Sequence, residues 1–186
     1  MRRRPASATR PGSGFRPERI RRLGFFHEFT LEEVRRVLTA GTIQAYAGGE
    51  LLATEGTRKQ RRILYLVLQG RLQYEKRIRA RRTQVVLRID PGEVGGFLTF
   101  LNEDPSPVTV RSVGATAVLE ITRRDLQALG AESSALGAKL LFALLDGTAR
   151  RLDGLLDRVA ATAAWALDLE RHVESLPLTA ERPETA

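Results

Sequence analysis

Ile63-Leu-Tyr-Leu-Val-Leu-Gln-Gly70, followed at once by Arg71-Leu-Gln-Tyr-Glu-Lys-Arg-Ile78, is the stretch on which the fold turns. It reads as two short β-type runs, Ile63 to Leu68 and Arg71 to Ile78, with Gly70 between them where a positive φ is useful. The same pattern extends outward in both directions. Thr42 to Tyr46 and Glu50 to Thr54 precede the stretch, and Thr83 to Ile89, Val108 to Ser112 and Ala117 to Ile121 follow it. Gly48-Gly49, Pro91-Gly92 and Gly114 punctuate these runs at turn positions. Seven short strands at such spacing predict a barrel or a sandwich.

Helices flank the strands. Thr30-Leu-Glu-Glu33 has capping-box spacing, and Leu31, Val34 and Leu38 follow with helical periodicity, which predicts a helix over Leu31 to Thr39 ended by Gly41. Thr122 can cap a helix over Arg123 to Leu129, and Ser133 or Ser134 opens a long one that continues through Leu169. Along it Leu145, Leu152, Val159 and Ala166 recur every seven residues, with Thr148, Leu155, Thr162 and Leu169 in the complementary positions. This is a heptad seam on which two helices can pair, or a stripe that packs on the barrel.

The predicted organisation is a disordered Arg-rich tail over 1–17, one domain over 18–170 with its C-terminal helix at about 134–170, and a polar tail over 171–186. No apolar run is long enough to span a membrane, and the N-terminus has no apolar signal-peptide stretch, so the expected location is cytoplasmic. The net charge of +8 is unevenly placed. Residues 1–22 hold eight Arg against Glu18, and residues 58–82 hold ten Lys or Arg against Glu75, which leaves the remainder acidic. Without cysteine there is no disulfide, thiolate metal site or cysteine nucleophile.

Catalysis finds no foothold. His27 and His172 stand outside any nucleophile or metal motif, and Glu32-Glu33 and Glu103-Asp104 are explained by helix capping and solvation. The expected protein is not an enzyme and has no catalytic residue, metal or cofactor. Trp165 reads as a packing anchor or interface residue.

The order helix, barrel, helix, long helix then meets particular residues. Gly49-Glu50-Leu-Leu ahead of Glu55-Gly56, Leu64 to Gly70, Val85-Val-Leu with Pro91-Gly92-Glu93, Thr109-Val-Arg111 and Ala149-Arg-Arg-Leu152 form an ordered series. Over roughly Leu23 to Val159 the chain resembles the cyclic-nucleotide-binding domain of catabolite-activator-like (Crp/Fnr) regulators and kinase regulatory subunits. The resemblance implies an α+β, mainly β fold: a double-stranded β-helix (jelly-roll) barrel with an N-terminal helix and a long C-terminal helix.

In that family a short helix and turn between two strands capture the cyclic phosphate with backbone N–H groups and an Arg, while a Glu accepts from the ribose. The matching cassette here runs from Gly95, Gly96, Phe97 and Leu98 to Ser106, Pro107, Val108 and Thr109. Aligned on Gly92, Gly96, Pro105 and Thr109, it has Phe97 at the Glu position, Ser106 at the Arg position and Pro107 at the small hydroxyl position. Each charge-assisted bond to a phosphate contributes about 1.5 to 3 kcal/mol, so these losses predict that cyclic nucleotide is not held in the usual way. Hydroxyl positions that face the purine become Leu155 and Leu156.

Arg58, Lys59, Arg61 and Arg62, with Lys76 and Arg77 on the next hairpin, form a basic segment. It reads either as a charged hairpin guarded against edge pairing or as a patch for an acidic protein, an anionic ligand or nucleic acid. Only 16 residues follow Glu170, fewer than the roughly 50 of a helix-turn-helix domain, so no sequence-specific DNA binding by the family's route is expected. The leading expectation is a regulatory or adaptor subunit that binds another protein, with homodimerisation through the C-terminal helix. The alternatives are a sensor of another anion, such as a cyclic dinucleotide, using Arg58, Arg61 or Arg62, and a nucleic-acid-associated protein acting through tail and hairpin.

Overall fold

The computed structural model describes residues 15–58, 62–79, 82–102 and 104–174. The described chain opens with a short helix α1 (Pro17–Ile20) and a 3-10 turn at Gly24–Phe26, followed by α2 (Leu31–Ala40). Strands β1 (Thr42–Tyr46), β2 (Leu51–Ala53), β3 (Ile63–Arg79), β4 (Arg82–Ile89) and β5 (Val94–Gly95) come next. A one-turn helix α3 (Phe97–Leu101) leads to β6 (Thr109–Thr122), and α4 (Arg123–Glu132) and α5 (Ser134–Glu174) complete the chain. The strands form one antiparallel sheet in the order β1-β6-β3-β4, with β2 also on β6 and β5 also on β3.

Two strands replace four predicted ones. The sequence separates Ile63 to Leu68 from Arg71 to Ile78, yet the structure runs them together as β3. Gly70 does not turn the chain back. At φ 78° it carries the strand through an irregular register around Gln69, in a place where a Cβ would meet the Ala115 carbonyl at 2.5 Å. The side-chain alternation shifts there. Before the irregularity Tyr65 and Val67 share a cluster with Leu72 and Tyr74 beyond it, whereas Leu64, Leu66 and Leu68 belong to the other cluster. Likewise β6 joins the predicted runs Val108 to Ser112 and Ala117 to Ile121 across Gly114.

The core therefore has two parts. One lies within the barrel and gathers Leu52, Tyr65, Val67, Leu72, Ile89, Val110 and Val118. The other packs the opposite face of the strands against the helices, through Val34, Val37 and Leu38 of α2, Leu129 of α4 and Leu136, Leu140 and Leu144 at the start of α5. The last three recur every four residues, so the first part of α5 offers one apolar stripe. Phe25, Phe26 and Phe29 brace this layer, with ring centroids 5.0 to 5.9 Å apart.

Both expected caps form. The Thr30 side chain accepts the Glu33 N–H while Glu33 accepts the Thr30 N–H, and Thr122 and Asp125 make the same reciprocal pair at α4. The tail boundaries differ from expectation. Pro17 opens α1, and Phe15 packs against the helical core, so order begins inside the stretch predicted to be disordered. Residues 1–14 of that predicted tail lie outside the described residues. Helix α5 continues to Glu174, into the predicted polar tail, with Arg171 and Asp168 paired at helical spacing near its end. Where the sequence suggests one domain over 18–170, the chain divides into two compact units, 1–147 and 148–186. No helix among the described residues is long and apolar enough to cross a membrane.

Candidate ligand turn

Strand β5 ends at Gly95, paired with Tyr65, and Gly96 opens α3 in the left-handed region at φ 92°. Only glycine fits this start without strain, since a Cβ on Gly96 would lie 2.4 Å from the Ile63 carbonyl. The first N–H of the turn is already used: Gly96 donates to the Tyr74 hydroxyl at 2.8 Å. A Cβ on Gly95 would come within 2.2 Å of that same hydroxyl. The two glycines and Tyr74 thus form one closed contact, in which a phenol oxygen occupies a donor otherwise available to an anion.

Phe97 is half-buried against the helical core, whereas Leu98 and Leu101 are exposed. Ser106, at the position of the family's Arg, is buried and wholly engaged. Its hydroxyl donates to the Val108 carbonyl at 2.7 Å, its N–H donates to the Thr57 carbonyl, and its carbonyl accepts the Gly56 N–H. Thr109 accepts the Glu55 N–H at 3.1 Å. The Lys76 ammonium donates to the Pro107 carbonyl at 2.7 Å and to Glu55 at 2.8 Å. These bonds lash the segment after β2 to the segment before β6. The bond from Lys76, with the Arg77 N–H, holds the Glu55 carboxyl below the usual carboxylate range.

The predicted basic patch is therefore divided. Lys76 serves as an internal strap, and Arg62 sits where its N–H donates to the Thr99 carbonyl of α3 and its carbonyl accepts the Arg123 N–H. Arg58 and Arg77 are exposed, and Lys59 and Arg61 lie outside the described residues. On the same barrel Arg111 bonds Glu75 at 3.0 Å and the Gly49 carbonyl at 2.8 Å. Burial would raise the Glu75 carboxyl, but Arg111 and Gln73 outweigh it and keep it low.

Three side chains that sequence reading passed over complete the barrel's polar interior. The Tyr46 hydroxyl donates to Glu120 at 2.6 Å, and Tyr65, whose Cα is in register with Glu120, carries a buried hydroxyl without a hydrogen-bond partner among the described residues. Burial raises the Glu120 carboxyl, against the opposing effect of the Tyr46 bond. Burial likewise raises both phenols, and for Tyr46 the carboxylate adds to the effect. The one available signal was side-chain parity, which places Tyr74 with Leu72. Nothing local predicts that its hydroxyl ends on Gly96.

The predicted helix seam lies on α5. Leu145 is exposed in the first unit, and in the second Leu152, Leu155, Val159, Thr162 and Ala166 are exposed, as are Leu156 and Trp165. Among the described residues no group of three or more His, Asp or Glu is placed to hold a metal ion.

The antiparallel barrel, its short cassette helix and the long helix after it define a β-roll domain. Residues 43–133 match the family model of the cyclic nucleotide-binding domain, and the chain has the fold of that domain. Among solved structures it is similar to a cyclic nucleotide-binding domain from Methylobacillus flagellatus, with 24% identity and a TM-score of 0.68 over 79% of this chain and 82% of that one. The Thermus thermophilus catabolite activator protein is 27% identical with a TM-score of 0.59, over 73% of this chain and only 62% of that protein. The regulator CLP of Xanthomonas campestris, described as c-di-GMP responsive, is 23% identical with a TM-score of 0.65, covering 84% of this chain and 75% of that one. No curated protein matches.

Proposed function

We propose that this chain is a non-enzymatic regulatory or adaptor subunit that keeps the cyclic-nucleotide barrel but not its usual grip, and acts through protein contact. The observation that carries the reading is the Tyr74 hydroxyl on the Gly96 N–H, beside Phe97 and Ser106 in place of the acid and the base. An incoming phosphate would have to displace a phenol already bonded there, with no guanidinium at Ser106 to compensate. The exposed apolar positions along α5 supply a surface for a partner or a second copy. Calorimetry of the purified protein with cAMP and cGMP tests the first part. No heat of binding is expected at up to millimolar ligand, and micromolar affinity for either nucleotide would overturn it.

A second reading, sensing of a cyclic dinucleotide, draws support from the likeness to the Xanthomonas regulator and from Arg62 standing against the cassette helix at Thr99. Its check is thermal shift: a ligand bound only by the folded state raises the melting temperature as its concentration passes the dissociation constant. An unchanged melt at millimolar cyclic di-GMP rejects it.

A further inference from the structure

The β3–β4 hairpin carries a feature that neither the cassette nor α5 uses. From Lys76 to Ile89 the sequence contains six Lys or Arg and no Asp or Glu. Lys76 is bonded to Glu55 and the Pro107 carbonyl, and Arg77, Arg79, Arg82 and Arg88 are exposed. Arg79, Arg82 and Arg88 have no ion-pair partner among the described residues. Two exposed apolar side chains stand among them, Ile78 at 49% and Val85 at 40% of full exposure. Among the described residues strand β4 has β3 as its only strand neighbour, and its residues Arg82 to Val85 are all exposed.

An edge of this kind can accept another strand through its backbone, with alternate side chains reading the incoming chain. Which strand fits follows from charge. A second copy of the hairpin would set arginine against arginine, and like charges directly opposite are unfavourable in a sheet. An acidic strand meets complementary charge, and apolar residues at alternate positions meet Val85. Nucleic acid fits less well, because the run from Lys76 to Ile89 holds no aromatic residue and Tyr74, just before it, has its hydroxyl bonded to the Gly96 N–H, so there is no stacking platform. We propose that the exposed edge of β4, with Arg79, Arg82 and Arg88, is a docking site for an extended acidic segment of a partner protein, added to the sheet as a further strand. This surface shares no residue with the α5 seam or the cassette, so its failure leaves the function proposed above untouched.

The probe is a fluorescent peptide of about ten alternating Glu and Val residues, about four residues longer than a typical strand, titrated with the full chain in low and high salt. Binding is expected at low salt, weakened about tenfold or more at high salt by screening. It should fall at least about tenfold with Arg79→Glu/Arg82→Glu/Arg88→Glu or, should the triple variant misfold, with Arg82→Glu alone. A peptide of the same charge with Pro in place of Val cannot extend a sheet and should bind about tenfold more weakly. Amide exchange at Thr83 to Val85 should slow when the Glu-Val peptide is bound. The proposal is overturned if the Glu-Val peptide does not bind, if the Pro peptide binds equally well, or if duplex DNA of matched charge binds more tightly than the peptide.

Discussion

Glu120 sits in register with Tyr65 inside the barrel, held by the Tyr46 hydroxyl and raised by burial. Its folded pKa lies above the unfolded carboxylate value of about 4.3, so its favourable contribution belongs to the protonated form. That contribution is complete below the unfolded value and is lost as pH rises through the folded one. Glu120→Gln should therefore raise the melting temperature at pH 8 and approach the parent protein as the pH falls toward 4. A parent protein that melts higher at every pH would show instead that the charged bond to Tyr46 dominates. Neither this pair nor the Tyr74–Gly96 contact was legible in the sequence. Tyr46 and Glu120 are 74 positions apart and meet only because β1 pairs with β6. The substitutions at Phe97 and Ser106 were legible because the cassette is a contiguous motif, but what Ser106 does instead depends on a loop some 50 positions earlier, at Gly56 and Thr57.

At the level of elements, what is encoded locally was readable and what depends on distant pairing was not. The caps at Thr30 and Thr122 need only a residue three positions on, and both form. The extent of β3 and β6 depends on their mutual register, in which Ile63 pairs with Thr122 and Glu75 with Thr109. Gly70 looks like a turn until β6 lies alongside it and carries the strand through. The same non-locality hid β5, two residues long and defined by its pairing with Tyr65 and Leu66. The α4 cap gives a test at this scale. Thr122→Ala removes the acceptor of the Asp125 N–H and a donor to its carboxylate. The cost should be about 1 kcal/mol, read as a lower urea midpoint at an unchanged denaturant slope. No change in midpoint would mean that α4 is held by Leu129 packing alone.

For the molecule as a whole, the sequence suggests one domain with its helix, whereas the chain forms two units that share α5. Within the first unit Leu136, Leu140 and Leu144 bury one stripe of that helix in the core. Beyond Gly147 no residue of the helix is buried, although its composition does not become polar: Leu152 is 58% exposed, Val159 66% and Trp165 64%. Apolar side chains repeated in this way on a helix cost free energy in water unless another surface covers them. The seven-residue spacing of Leu145, Leu152, Val159 and Ala166 matches what a second helix of the same kind would cover. The proposed seam thus predicts that the full chain sediments as a dimer and that Leu152→Glu, which sets two like charges across that seam, sediments as a monomer. Because Leu152 lies outside the first unit's core, the variant should keep the melting transition of the barrel. Equal sedimentation of the two proteins would reject the seam. Loss of the barrel transition in the variant would show instead that Leu152 supports the fold.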